Sequence, residues 1–189
     1  GGEFYSEYRM LNAAQVMELP EGATAEQGAS CYVNPLTALS FVETMREMGH
    51  ESLVHTAAAS NLGQMLNKIL RGIGAKHIVN STSPTFMEDL IAALMETGAT
   101  LGFDAIGGGP LAGQLLIAME AAASRKMKEY SRYGSGQQTQ VFIYGRLDMS
   151  PTQVPPGVGF AWNLSGYLLT PFLQKAGKEV RARMYKRVM

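Results

Sequence analysis

The spacing of apolar residues changes several times along this chain. Four short apolar runs are typical of buried strands, at residues 52–57, 77–80, 99–104 and 140–145. Elsewhere apolar residues recur every three or four positions, which predicts helices at residues 63–69, 85–97 and 111–130. Strands that alternate with helices predict an α/β fold, in which helices wrap a parallel sheet.

The ends of the chain follow other patterns. Residues 4–19 mix aromatic and apolar residues at short spacing, which predicts one or two short strands ending at Leu19-Pro20. Because the chain opens in what reads as the middle of a strand and stops without a terminating signal, we expect a fragment of a longer protein. Thr24 and Gln27 have capping-box spacing, so a helix should follow them. That helix should break near Asn34 and resume with Pro35 at its first position.

The last 45 residues are less regular. The Pro- and Gly-rich stretch Ser150–Gly159 predicts an irregular loop, and a helix is expected from about Trp162 to Lys175. Its apolar face, Tyr167–Leu173, could be buried inside the domain or form a subunit contact. The basic stretch Lys175–Arg187 is interpreted as a solvated helix face.

One interval is too short for a doubly wound fold. Between the helix that starts near Gly63 and the run at His77, there is no room for another strand and its crossover, which needs about a dozen residues. Either the fold is not doubly wound, or a segment is missing near Ile69-Leu70. We favour the second explanation.

Composition narrows the functional classes. The 16 basic and 16 acidic residues balance, so the charge pattern of a nucleic-acid or membrane-surface binder is not expected. No apolar run reaches the roughly 18 residues that span a bilayer, and no signal peptide is visible. Cys31 is the only cysteine, so an internal disulfide is impossible and a cytoplasmic location is the simplest expectation.

A zinc site is not expected either. Zinc needs three or four converging His, Cys or carboxylate ligands. The sequence offers one cysteine and three scattered histidines, His50, His55 and His77. His55 lies inside a predicted strand and is interpreted as a core or near-cofactor residue.

The first predicted core strand leads into a turn of small residues. Ala58, Ser60 and Gly63 occupy the spacing G-x-G-x-x-G with two glycines replaced. In a dinucleotide-binding fold this turn lets the backbone approach a pyrophosphate, which is bound by free N–H groups at the helix N-terminus. The degenerate turn fits an ordinary strand–helix connection equally well.

Two motifs elsewhere in the chain strengthen the interpretation of this turn. Asn-Pro-Leu-Thr-Ala at 34–38 precedes Ala-Ala-Ala-Ser-Asn-Leu-Gly at 57–63, and Phe-Asp-Ala-Ile-Gly-Gly-Gly follows at 103–109. Together they resemble the medium-chain dehydrogenase/reductase family, and most closely its quinone oxidoreductase and enoyl-thioester reductase branches. The resemblance implies a Rossmann-type doubly wound sheet at 23–189. It also implies that residues 1–22 are the tail of a GroES-like β catalytic domain.

The resemblance also implies a function. The expected reaction is hydride transfer from NADPH, or NADH, to a quinone or an α,β-unsaturated carbonyl compound, in a homodimer that acts on small molecules. No catalytic residue is assigned, and the fragment alone is expected to be inactive. A methyltransferase that uses S-adenosylmethionine and a non-catalytic nucleotide-binding protein remain as alternatives. The predicted cofactor-binding residues are Asn34, Thr37, Ala58, Ser60, Asn61, Leu62, Gly63, Asn80, Ser81, Asp104, Gly107, Gly108, Tyr144 and Gly145.

Overall fold

The computed structural model describes residues 8–13, 16–71 and 76–189. The helices are α1 Ala25–Ser30, α2 Val33–Glu47, α3 Asn61–Arg71, α4 Phe86–Thr97, α5 Leu111–Ser124, α6 Leu169–Lys175 and α7 Lys178–Val188. The strands are β1 Val54–His55, β2 Leu101–Asp104, β3 Gly107–Gly109, β4 Thr139–Ile143, β5 Asp148–Thr152 and β6 Trp162–Gly166.

Four of these strands form a parallel sheet in the order β1-β2-β4-β6. Phe103 in β2 lies opposite His55 on one side and Phe142 on the other. The strands β3 and β5 form a small parallel pair beyond the carboxyl end of β2. A doubly wound sheet has the order 3-2-1-4-5-6, so the larger sheet matches its 1-4-5-6 part.

Helices cover both faces of the sheet. On one face α2 and α3 pack on Leu101 and Phe103 of β2. On the other face α4 and α5 pack on Val141 of β4. A third cluster joins α2 to α6 and α7 around the fully buried Leu36. The prediction of an α/β, Rossmann-type sheet wrapped by helices is therefore confirmed.

Most of the predicted core elements are present. The runs at 52–57, 99–104 and 140–145 contain β1, β2 and β4, and the predicted helices correspond to α3, α4 and α5, although α5 ends at Ser124. The capping box at α1 makes both of its hydrogen bonds, from Gln27 N to Thr24 Oγ1 at 3.2 Å and from Thr24 N to Gln27 Oε1 at 3.0 Å. Pro35 is the third residue of α2 and not the first.

Three segments predicted as strand or helix have a different secondary structure. Residues 77–80 form no strand, because the described part of the chain places no strand beside β1 with which they could pair. The region predicted as one helix from Trp162 to Lys175 contains β6 and then α6, because β4 provides a pairing edge for 162–166. Residues 8–13 and 16–19, which belong to the predicted N-terminal strands, contain no strand; the rest of that prediction lies outside the described residues.

The pair β3 and β5 was not predicted at all, and part of β5 was expected to be loop. Gly107–Gly109 carries no apolar side chain that could mark a strand. A Cβ atom at Gly108 would lie 2.6 Å from the carbonyl oxygens of both Asp148 and Ser150. The two backbones can therefore pair this closely only because the residue is glycine.

Candidate cofactor site at the carboxyl edge of the sheet

The turn between β1 and α3 is built from small residues and ends in a capped helix. Ala57 has a left-handed backbone, with φ at 52°. The Gly63 amide donates to Ser60 Oγ at 3.1 Å. The Ser60 hydroxyl therefore accepts from one of the backbone N–H groups that have no partner within the first turn of α3. The remaining first-turn amides lie beyond the carboxyl end of β1, where open α/β sheets bind ligands.

Gly63 holds the first turn of α3 against this turn. A Cβ atom there would lie 2.4 Å from the carbonyl oxygen of Ala57 and 2.8 Å from that of Ala58. No side chain fits unless the helix moves away. This is the role of the third glycine in a dinucleotide-binding turn, which permits close packing of helix on strand.

Asp104 organises the neighbouring turn at the end of β2. Its side chain is fully buried. Oδ1 accepts hydrogen bonds from Thr56 Oγ1 at 2.7 Å and from the Ile106 amide at 3.1 Å, and Oδ2 accepts one from the Gly107 amide at 2.8 Å. Because both carboxylate oxygens already have protein donors, the geometry favours a supporting role for Asp104 beneath a ligand.

The glycines predicted near this turn lie at close backbone contacts. Gly107 has φ at 79°, and its Cβ would meet the Gly145 carbonyl oxygen at 2.6 Å. A Cβ at Gly145 would lie 2.5 Å from the carbonyl oxygen of Ala105. Gly107 and Gly145 thus bring the segments that follow β2 and β4 close together, while Gly108 lies against β5.

Tyr144 follows β4 and is packed into an aromatic cluster, with its ring 4.8 Å from that of Phe41. Its hydroxyl is buried and has no hydrogen-bond partner among the described residues. Burial, together with the negative charge of Asp104, raises the pKa of Tyr144 to about 12. The side chain is therefore neutral at any physiological pH.

Asn61 and Leu62 begin α3, where Asn61 is exposed and Leu62 packs against the core, and the other four predicted residues fall into two places. Thr37 is buried in α2 and donates to the Val33 carbonyl oxygen at 2.7 Å, and Asn34 is half-buried one turn earlier. Asn80 and Ser81 are exposed at the rim of a cavity of about 610 Å³, which is also lined by Ala58. The structure thus brings the Ala58 turn, Asn80 and Ser81 around one cavity, which Asn34 and Thr37 do not line.

One residue of this site was missed by sequence reasoning. Asn67 lies on α3; its Oδ1 accepts a hydrogen bond of 3.0 Å from His55 Nε2, and its Nδ2 donates to the Ala58 carbonyl oxygen at 3.2 Å. It therefore fixes the turn from the inner face of the helix. Its position four residues after Gly63 was an available signal, because residues i and i+4 share a helix face.

Within residues 8–13, 16–71 and 76–189, no three His, Cys, Asp or Glu side chains come together as a metal site. None of the helices described there is long and apolar enough to cross a bilayer.

Comparison with known proteins gives matches of structure. No protein-family model and no curated protein matches the sequence. A Mesorhizobium loti protein whose assigned function is NADPH:quinone reductase is 25% identical with a TM-score of 0.69, over 91% of this chain and 52% of that one. The mitochondrial 2-enoyl thioester reductase heterodimer of Candida tropicalis is 18% identical with a TM-score of 0.59, over 89% and 50%.

A third match is Etr1p in complex with NADP and crotonyl-CoA, at 16% identity and a TM-score of 0.56, over 88% of this chain and 50% of that one. The chain thus spans about half the length of the solved structures that it matches. These proteins are medium-chain dehydrogenases/reductases, so the resemblance read from the sequence is confirmed, and the chain has the Rossmann-type fold of that family's cofactor domain.

Proposed function

We propose that this chain is the cofactor-binding part of an NADP(H)-dependent oxidoreductase. The proposed reaction is hydride transfer from the reduced nicotinamide to a quinone or an α,β-unsaturated carbonyl compound. The observation that carries the proposal is the turn from Ala57 to Gly63, where Gly63 lies against the backbone of Ala57 and Ala58. The names of the structural neighbours support the same class of reaction and the choice of NADP.

The residues of this chain would bind and orient the cofactor. The pyrophosphate fits at the Ala58–Ser60 turn, since the first amides of α3 and the positive end of its dipole attract anions. Asn80 and Ser81 line the same cavity as this turn and would face the adenosine half. The buried Asp104 and the half-buried Tyr144, whose hydroxyl is buried, would hold the shape of the strand ends. The bound nicotinamide supplies the hydride, and the protein positions it and excludes water.

The rest of the active site would come from outside these residues. We propose that residues 1–22 are the tail of a GroES-like catalytic domain, which would supply the proton donor and one wall of the substrate cleft. We propose further that the whole protein is a cytoplasmic homodimer and that no zinc takes part in its reaction. We also propose that a segment is missing from this chain near Ile69-Leu70 and that it forms part of the sheet in the whole protein. Isolated, the chain should bind cofactor and show no turnover.

A titration of the purified protein with NADPH, followed by nicotinamide fluorescence, tests this proposal. Ala59 is exposed in the turn, so Ala59→Glu adds a negative charge beside the pyrophosphate without filling the core. We expect it to weaken NADPH binding at least tenfold, a loss of about 1.4 kcal/mol. Ala92→Glu, at an exposed position of α4 away from the cavity, is the matched control and should bind as the parent does.

Failure to bind NADPH at millimolar concentration would overturn the proposal, as would equal effects of the two variants. Binding of S-adenosylmethionine in place of NADPH would favour the methyltransferase alternative. With the full-length protein, NADPH oxidation in the presence of a benzoquinone or of crotonyl-CoA would distinguish the two classes of acceptor.

A further inference from the structure

A second cavity lies at the amino edge of the sheet, opposite the edge that carries the candidate cofactor site. Its volume is about 210 Å³, and it lies where α4 and α5 end and where β2 and β4 begin. Leu94 and Ala99 line both this cavity and the larger one, so they lie between the two. One water molecule needs only about 10–15 Å³ of such a space, so the cavity has room for a larger ligand. We call it the amino-edge cavity.

The inner part of the amino-edge cavity is apolar. Leu94 on α4 and Met119 and Ala122 on α5 line it, and none of the three is more than 5% exposed. Protein interiors are close-packed, so side chains that border a space of this size lose contacts on that side. An alkyl group would restore those contacts, whereas water would find few hydrogen-bond partners on these walls.

The outer part of the cavity is polar and carries one positive charge. Lys126 and Gln137 are exposed there, and Thr100 and Ser135 are half-buried. Lys126 makes no ion pair with any residue that the structure describes. Among the same residues no Asp or Glu lines the cavity; Glu120 lies behind Ser135, whose amide and hydroxyl both donate to it. The rim therefore favours a ligand with a negative charge at one end.

We propose that the amino-edge cavity binds a short, unbranched carboxylate, with its alkyl chain on Leu94 and Met119 and its carboxylate at Lys126. Lys126 lies seven residues after Met119, which corresponds to about 10 Å along a helix axis, so one such ligand can contact both. The Gln137 amide is a further hydrogen-bond donor at the same rim. This inference does not depend on the proposed cofactor chemistry, because the two sites lie at opposite edges of the sheet.

The test uses hexanoate as the probe and Trp162 as the reporter. Trp162 is the only tryptophan, and it packs against the apolar cluster that contains Leu94 and Met119. Hexanoate should therefore change the Trp162 fluorescence saturably. Butyrate should bind about fivefold more weakly or worse, because it buries fewer CH₂ groups. Hexanamide has the same chain and no charge, and it should bind about threefold more weakly, since an ion pair near the surface contributes little.

Two pairs of variants locate the ligand. Ala123 lines the cavity, whereas Ala121 is also half-buried on α5 and does not line it. Ala123→Phe should weaken hexanoate binding about tenfold, and Ala121→Phe should leave it unchanged. Lys126→Met should abolish the preference for hexanoate over hexanamide. Lys128→Met, at an exposed position outside the cavity, should retain that preference.

The ligand series uses the parent protein, so it does not depend on a variant folding. Absence of a saturable change at millimolar hexanoate would overturn the proposal, and so would equal binding of butyrate and hexanoate. Equal effects of Ala123→Phe and Ala121→Phe, in variants that melt as the parent does, would also overturn it. Saturating NADPH should leave hexanoate binding unchanged in a calorimetric titration. Competition between the two would place the carboxylate in the larger cavity and contradict the assignment.

Discussion

The strands β1 and β2 are neighbours in one sheet, yet of the two only β2 is fully buried and paired on both sides. All four residues of β2 are buried, and it pairs with a strand on each side. The two residues of β1 are half-buried, and in the described structure it pairs on one side and borders a cavity on the other. Both come from similar apolar runs in the sequence. An apolar run thus specifies which side chains can be buried. The strands and helices that pack beside the run determine how much of each side chain is buried.

The packing energy should differ in the same way. Phe103 in β2 is fully buried and stacks on Phe41 with ring centroids 4.0 Å apart. Val54 in β1 lines the cavity, so part of its surface has no packing partner. Truncation of each residue measures this difference directly.

The largest effect is expected for Phe103→Ala. We expect it to lower the free energy of unfolding by about 3–5 kcal/mol, because it removes a ring from a filled core. Val54→Ala should cost about 1 kcal/mol, since a half-buried side chain loses less contact. Urea denaturation followed by circular dichroism measures both. Similar costs for the two variants would show that β1 is as well packed as β2.

A smaller loss of stability is expected when a larger side chain replaces an alanine in the filled core or beside the cavity. Ala118, on α5, is fully buried, so Ala118→Leu should destabilise the protein by about 1–3 kcal/mol. Ala93, on α4, borders the cavity, so Ala93→Leu has room for its side chain and should change stability by no more than about 0.5 kcal/mol. Thermal melting of both variants provides the comparison. A large loss from Ala93→Leu would mean that the cavity is already filled.

The smallest effect concerns the hydroxyl of Tyr144 and appears at alkaline pH. The pKa of this group is raised to about 12 in the folded protein, against about 10 in the unfolded chain. The folded state therefore holds the proton more tightly, and this contribution to stability falls as the pH rises from about 10 towards 12. Tyr144→Phe should match or exceed the parent in stability at pH 8, because it removes an unpaired buried hydroxyl.

The stability advantage of Tyr144→Phe over the parent protein should grow between pH 8 and pH 11, as measured by the urea concentration at the midpoint of unfolding. Tyr130 is 93% exposed, so Tyr130→Phe serves as the control and should behave as the parent does. A constant difference between Tyr144→Phe and the parent across this range would contradict the assigned environment of the hydroxyl.

The sequence predicted those parts of the fold that depend on local spacing. Apolar periodicity located β1, β2 and β4 and the helices α3 to α5. It failed at 77–80, where a strand was predicted and none forms, and at 162–166, where a helix was predicted and β6 forms. The first run has no described strand beside it, and the second lies along the open edge of β4. Pairing between segments far apart in sequence decided both outcomes.

The candidate site shows the same division. The spacing of Ala58, Ser60 and Gly63 predicted the turn, because a turn of this kind depends on the size of a few adjacent residues. The partners of Asp104 were not predictable in this way, since Thr56 lies 48 residues away along the chain. Which carboxylate faces a ligand and which faces the protein depends on such distant partners.

The hydrogen bond between Thr56 and Asp104 has a consequence for how the site opens. Thr56 Oγ1 donates to Asp104 and also accepts from the Ala105 amide at 2.8 Å, so the ends of β1 and β2 share one buried polar network. Opening one end breaks bonds that hold the other. The two turns should therefore unfold locally as one cooperative unit, and the amides of Ala105 and Gly107 should exchange with a common opening free energy.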